Sequence, residues 1–424
     1  MENARPLTPK LTKKRWRIYE YFYFAVLAIA LLDTYLQITM FCGVRALIPL
    51  MTAITFATDF LTPVLLGFVG CCIVASLFKK APAPFAFSTQ EAVVALVCCG
   101  LLLVPHFLCG YEEPFWFAVF ILGARGIDQK KLIRFYFTVS VIICSITFLC
   151  GCTGLIENLV YHRADGTTRI AFGFNYPTDF CSHIFFLVVC WLWLREEKTT
   201  YYEIAGIAAL AVFTYLACNA RTTSAMLLLI ALWMVVVKLR ARRNDNRYAM
   251  TKPLQVCCFL APPLAALFMT VASVFYSDQN RFFALLDKCT NSRLSQGHLG
   301  FLRYNPTLFG QAVEMNGNGG ITDLPDDYFF LDCTYVNTLL RYGLFALLVV
   351  LFLLFYLTLS EKHKKAFIHV GLLGIVALQC VIEQHLMELG HCPLLLLLLT
   401  YNGEAGGFDL LRFIKKSQSA PPNP

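Results

Sequence analysis

The chain predicts an all-α integral membrane protein with about 12 transmembrane helices and one long external loop containing short amphipathic helices. Three observations carry this. Hydrophobic residues make up 58% of the sequence and charged residues only 15%, whereas a soluble domain carries about 25% charged residues. Apolar runs long enough to cross a bilayer, about 20 residues each, recur along the whole chain. One extended polar stretch, 277–331, interrupts them.

Taken in order, a basic tail over 1–20 leads straight into the first span. No A-x-A-like site follows a short apolar segment, so no cleaved leader is expected. Spans are predicted near 21–41, 61–78, 92–109, 114–126, 132–156, 177–194, 201–218, 222–238, 254–276, 332–357, 366–385 and 389–405. The fourth is short and reads as tilted or partly re-entrant. Residues 44–60 are also apolar and are read as an interfacial or broken segment, because charge decides against an extra span. With twelve spans and the N-terminus inside, 26 of the 35 Lys and Arg fall on the cytoplasmic side, as the positive-inside rule requires. An extra span would invert every later loop and place KLRARRNDNR outside. The chain then divides into the basic tail, spans one to nine over 21–276, the outward segment 277–331, spans ten to twelve over 332–405, and a second cytoplasmic tail over 406–424. Within the outward segment FFALLDK and HLGFLRY are amphipathic and suit a membrane surface. NGNGG is a turn-rich breaker.

The net charge of +8 follows membrane orientation in its distribution, so nucleic acid is not an expected partner. The 18 Cys sit mostly inside apolar runs, where they act as small hydrophobes. No CxxC pair with a matching His cluster appears, so zinc is not expected. Cys289 and Cys333 flank the polar segment and read more readily as free thiols than as a disulfide, since sequence alone cannot set their geometry.

Several residues are candidates for chemistry. Arg221, in NARTTSA, reads either as an arginine snorkelling to head groups or as part of a polar notch. Asn219, Thr222, Thr223 and Ser224 crowd the same turn, and the free N–H groups of a helix start favour anions. Arg281 and Arg293 lie in the polar segment. With Arg221 and Arg169 they offer several guanidinium groups on one side of the membrane. Guanidinium pairs bidentately with phosphate oxygens, so a pyrophosphate at the membrane surface suits the set.

Asp332 heads the tenth span in FFLDCTYVNTLLRYG. It either favours the helix N-terminus or serves as a general base beside a sugar hydroxyl. Tyr335, three residues on, shares its face. Arg341 lies too deep to snorkel outward and is expected to pair with Glu383 or Glu388. Glu383, His385, Glu388 and His391 cluster between the last two spans, without the i, i+4 His pair of a tight metal site, and no metal is assigned. His183 and Asp179 open the sixth span after Asn175 and Pro177, where helix capping and substrate contact are both open readings. Asp33 and Asp59 are left without a role.

These residues carry a resemblance. AFGFNYPTDFCSHIFF resembles the GF-x-(H/N)-P-x-x-F segment of bacterial O-antigen, capsule and exopolysaccharide polymerases of the Wzy type. NARTTSAMLLLIALWM is similar to their Arg-Thr/Ser helix start, NSRLSQGHLGFLRYNPTLFGQ to their GRL…LFGQ segment, and DCTYVNTLLRYG to their D-x-x-Y-x-x-x-L-x-x-YG helix start. ILGARGIDQKKLIRF matches the family's cytoplasmic loop. The likeness runs in order from about residue 117 to 390; the first hundred residues are alike only in hydropathy.

The resemblance implies a glycosyltransferase of the type-C architecture, related to O-antigen ligases, in the bacterial cytoplasmic membrane with its site on the outer face. Carried over by motif, Arg221 and Arg293 hold the diphosphate of an undecaprenyl pyrophosphate-linked oligosaccharide. Asp332 falls near the position of the ligase His. A chain-length regulator is a candidate partner beside membrane lipid. Two departures are plain: Ser292 stands in place of the usual Gly before Arg293, and Asp stands for His.

The mechanism implied is a single inverting displacement. Asp332 takes the proton of an acceptor sugar hydroxyl, and the arginines stabilise charge on the departing pyrophosphate. Pyrophosphate is a good leaving group, so no cofactor or metal is demanded, and no DxD-like motif stands outside. The rival readings are a lipid-linked oligosaccharide flippase or transporter, a ligase-like transferase to another acceptor, and a non-catalytic assembly protein. Transporters usually carry internal repeats, and none is evident here.

Overall fold

The computed structural model describes residues 9–78, 87–162, 166–243, 250–317, 322 and 326–400, with only the backbone described for 9–15 and residue 90. Residues 1–8 of the first expected tail, the whole of the second, the 244–249 loop and the 318–320 part of the NGNGG turn therefore lie outside the described residues.

Among the described residues, nine helices are long and apolar enough to cross a membrane. They are α1 (Pro9–Gln37), α2 (Ile48–Leu77), α3 (Thr89–Cys109), α5 (Gln129–Thr153), α6 (Pro177–Arg195), α7 (Tyr201–Cys218), α8 (Arg221–Arg243), α9 (Lys252–Val274) and α13 (Leu344–His363). Phe56, Phe60, Ile142, Leu216, Leu232 and Leu264 stand well exposed along α2, α5, α7, α8 and α9. An apolar surface this extensive marks contact with something other than water. It is the surface of a membrane-embedded protein.

Local chemistry explains where the helices begin and end. α3 and α7 each open with a reciprocal cap: Ser88 with Glu91, and Thr200 with Glu203. Such a cap satisfies two of the amides that a helix start leaves unpaired. Glu91 also accepts from Arg125 at 2.7 Å, tying α3 to the turn after α4 (Glu112–Gly123). α4 is short, as its apolar run implies. It is buried on every side from Pro114 to Gly123, so it is hydrophobic all round. Tyr19 Oη donates to the Gly123 carbonyl at 2.6 Å, and Tyr23 Oη to Phe120 at 3.2 Å.

Three expectations need correction. Residues 44–60 are not a separate interfacial segment: from Ile48 they are the first half of α2, a single helix of 30 residues. The fold is helical as expected, with one small ribbon added: Val160–His162 (β1) pairs antiparallel with Thr168–Ile170 (β2) between α5 and α6. The tenth span is broken. A helical turn Thr334–Asn337 (α12) passes into a π turn Thr338–Tyr342, and the chain resets at Gly343, φ 90°, before α13.

The third correction concerns the end of the described chain. The helix expected over 366–385 stops early, as α14 (Phe367–Gln379). The one expected over 389–405 does not form in its described part; only 3-10 turns occur, at His385–Met387 and Leu394–Leu399. Hydropathy cannot distinguish a lipid-facing helix from a buried irregular strap, and these six leucines are all buried. Irregular backbone at membrane depth survives only where protein satisfies it. Here Tyr136 Oη donates to Gly390 O at 2.7 Å, Thr334 N to Cys380 O at 3.0 Å, and Gly126 N to Leu399 O at 3.2 Å.

The polar stretch between α9 and α12 holds two short amphipathic helices, α10 (Arg281–Cys289) and α11 (Arg293–Arg303). α11 lies against α9, with His298 Nδ1 3.0 Å from the Ser273 carbonyl oxygen. Loops then gather at two ends of the bundle. At one end Tyr111 Oη donates to Gln311 O at 3.1 Å and Asn175 Nδ2 to Gln37 O at 3.2 Å. At the other, Lys131 pairs with Glu20 at 2.9 Å, and Gln129 Nε2 donates to Glu361 at 3.3 Å. Lys130 at the start of α5, Arg195 at the end of α6, Lys198 in the turn after it and Lys364 just after α13 belong to this second end.

Candidate functional site

A cavity of ≈ 660 Å³ opens at the first end, walled by the C-terminal turn of α1, the start of α4, the β1–β2 ribbon, the start of α6, the start of α11 and the strap after α14. It is strongly charged. Arg169, Arg293 and Arg341 line it together with Glu112, Glu113, Asp179, Asp332, Glu383 and Glu388.

Arg293 and Asp332 meet at its wall. Arg293 Nη1 lies 2.6 Å from Asp332 Oδ2, and both side chains are largely buried. Arg293 Nε also donates to the Ile382 carbonyl at 2.9 Å, so the guanidinium is aimed from two sides. Arg293 is the first residue of α11. The chain reaches it through Asn291 and Ser292, with φ 55° and 66°. That left-handed region favours glycine, yet Ser292 holds it. Burial raises the Asp332 carboxyl above the ordinary carboxylate range, and the adjacent Arg293 charge opposes the rise.

The remaining arginines divide between wall and surface. Arg169, on β2 opposite Tyr161, lines the cavity and donates from Nε to the Cys218 carbonyl at 3.0 Å. Arg341 sits in the π turn and also lines it, 3.4 Å from Glu113 and with its guanidinium 4.4 Å from the centre of the Tyr111 ring. Its partner is therefore Glu113 at the start of α4, not Glu383 or Glu388. The return of the π turn against α4 brings Arg341 to Glu113. Arg221 is exposed at the start of α8, where its Nε donates to Asn219 Oδ1 at 3.2 Å, and it does not line the cavity. Arg281 is exposed at the start of α10, also outside the cavity. Tyr335 is fully buried in the core, with its hydroxyl donating to the Ala377 carbonyl at 2.8 Å. One turn of helix does not bring it beside Asp332 in the cavity. Cys289 and Cys333 are both free thiols.

The wall made by the strap is denser in titratable groups than its sequence spacing implies. His385 Nδ1 lies 2.7 Å from Glu388 Oε2, while its Nε2 faces Glu383 at 3.6 Å and Asp179 at 3.8 Å. Burial by itself lowers the His385 pKa, but these carboxylates push it up to about 10. His391 stacks between His385 and His183, at ring separations of 3.9 and 3.8 Å. The signal in the sequence was the run of titratable residues from Glu383 to His391 in an apolar setting; the fold adds Asp179 from α6. The site thus presents a cationic wall and an acidic, histidine-bearing wall across one water-accessible space. No protein-family model matches this chain, and no curated protein or solved structure matches it.

Proposed function

We propose that the chain is a polysaccharide polymerase: a glycosyltransferase that joins undecaprenyl pyrophosphate-linked repeat units in this cavity. The observation that carries the proposal is the Arg293–Asp332 pair at 2.6 Å, with Arg169 and Arg341 on the same lining. Guanidinium groups are suited to diphosphate oxygens, and a buried carboxylate beside them is suited to take a hydroxyl proton. The ordered resemblance to Wzy-type polymerases supports the same reading, since its LFGQ and D…YG segments both border this end of the bundle. The positive-inside rule assigns the basic end to the cytoplasm and hence the cavity to the outer face.

In this reading Arg169, Arg293 and Arg341 grip the diphosphate of the donor, and Arg221 and Arg281 do not. The acceptor hydroxyl oxygen forms a bond to the anomeric carbon as the bond from that carbon to the diphosphate oxygen breaks. The proton passes to Asp332, and the electron pair leaves on the diphosphate, whose growing charge the arginines stabilise. One displacement inverts the anomeric centre. Approach of the donor phosphate loosens Arg293 from Asp332 and leaves the carboxylate free to act as base.

The test is reconstitution of the purified chain with an undecaprenyl pyrophosphate-linked repeat unit, scored for a ladder of longer lipid-linked products. A ladder supports the polymerase. Translocation of the repeat unit without lengthening supports a flippase instead, and transfer to a different acceptor supports a ligase.

A further inference from the structure

We infer that His385, Glu388 and His391 form a binding site for one divalent transition-metal ion of the zinc class, opening onto the cavity. The inference rests on side-chain geometry alone and stands whether or not the transferase reading does.

The three residues follow the spacing H-x-x-E-x-x-H. In an α-helix that spacing would turn the first and last side chains apart. Here the backbone makes two successive tight turns, with Glu388 N bonded to His385 O at 3.4 Å and His391 N to Glu388 O at 3.0 Å. Bonds between residues three apart eclipse their side chains, so all three are stacked on one side of the strap. Their potential ligand atoms lie within 4.8 Å of one another.

His391 supplies the second observation. It is 1% exposed, and neither of its ring nitrogens makes a hydrogen bond. Its Nδ1 lies 2.9 Å from Glu388 Oε2, yet at an angle that forms none. A buried polar group left unpaired costs about 1–3 kcal/mol. A proton shared between His385 and Glu388 accounts for those two residues and leaves His391 with only its 2.9 Å contact to the same Glu388 oxygen. Once the His391 ring turns out of its 3.9 Å stack on His385, a metal ion would accept a lone pair from each imidazole and one from the carboxylate, and it accounts for all three.

The donor set fits the chemistry. Two imidazoles and one carboxylate are ligands that zinc takes, and three protein ligands leave a coordination position open. All three residues line the cavity, so the open position faces it. Ligating histidines usually direct their second nitrogen at a carboxylate. His385 Nε2 faces Glu383 and Asp179 at 3.6 and 3.8 Å.

The full-length protein, purified in detergent and stripped with a chelator, is titrated with Zn²⁺ and separately with Co²⁺. The expected result is one metal ion per chain and a cobalt visible spectrum of low coordination number that zinc abolishes. His391→Asn and Glu388→Gln are each expected to weaken zinc binding by more than about 100-fold, and Asp179→Asn by about 10- to 100-fold as an outer partner. Chelated and zinc-loaded wild type are also melted side by side, which needs no variant to fold; zinc is expected to raise the Tm by mass action. The inference is overturned if stripped wild type takes up no stoichiometric zinc or cobalt. It is equally overturned if folded His391→Asn binds as tightly as wild type. No glycan is present in any arm, so failure here leaves the polymerase assay to be decided separately.

Discussion

Gly310 and Gly343 meet backbone to backbone. A Cβ on Gly310, at φ 97°, would stand 2.5 Å from the Arg341 carbonyl oxygen, and one on Gly343, at φ 90°, would overlap the Gly310 nitrogen. The contact is sealed by Leu344 N bonded to Thr307 O at 2.9 Å and Gln311 N to Arg341 O at 3.1 Å. It joins the LFGQ segment to the RYG segment and so sets where the π turn delivers Arg341. Gly343→Ala is expected to destabilise the protein by about 2–4 kcal/mol, from the left-handed backbone and the overlap together. Thermal unfolding in detergent measures it, and an unchanged Tm refutes the close approach.

Arginines inside and outside the cavity should differ sharply. Arg293→Gln is expected to lower turnover by about 10²–10³, as for loss of one charge-stabilising donor. Arg293→Lys should restore little, because an ammonium does not reproduce the planar fork. Arg221→Ala, at an exposed position off the lining, should change turnover less than tenfold. Product ladders at matched protein levels decide this; equal losses at 221 and 293 would place the diphosphate elsewhere.

Asp332→Asn is expected to cost about 10²–10⁴ in rate while the protein remains folded. The pH dependence has a definite sign. A base works ionised, so the rate falls as pH drops through the Asp332 pKa, which burial raises and Arg293 draws back. Removing the Arg293 charge removes that opposition. The acid limb of residual Arg293→Gln activity should therefore move to higher pH than in wild type. A limb that stays or moves down assigns the titration to another group.

Tyr335→Phe is a test of stability, not of substrate affinity. It leaves the Ala377 carbonyl without its hydroxyl donor in the core, and a lost hydrogen bond of this kind costs about 1 kcal/mol. The expected result is a lower Tm with KM for the lipid-linked donor unchanged. A raised KM at wild-type stability would return Tyr335 to the cavity.

Ser292→Gly should stabilise. Serine holds φ 66° there, at a penalty of about 1–2 kcal/mol that glycine largely avoids. The Tm should rise with turnover kept, because the substitution leaves the Arg293 side chain and its approach to Asp332 in place. A fall in Tm would show that the Ser292 side chain contributes more than its backbone costs.

The sequence alone determined the membrane-embedded helical class, most span positions from the first to the ninth, the two amphipathic helices of the polar stretch, and Arg293 and Asp332 as residues of interest. Those features rest on local properties: apolar run length, helical periodicity, and charge where an apolar chain should have none. Tertiary structure decided that Arg293 faces Asp332, that Arg341 finds Glu113, that Arg221 stays outside, and that Tyr335 belongs to the core. It also decided that the leucine-rich run after Pro393 is a buried strap through Leu399, because hydropathy reports what a segment avoids and not which surface shields it. The meeting of Asp179 with Glu383, His385, Glu388 and His391 joins groups some two hundred residues apart in the chain. Such proximity arises only when packing brings α6 against the strap, and no local pattern encodes it.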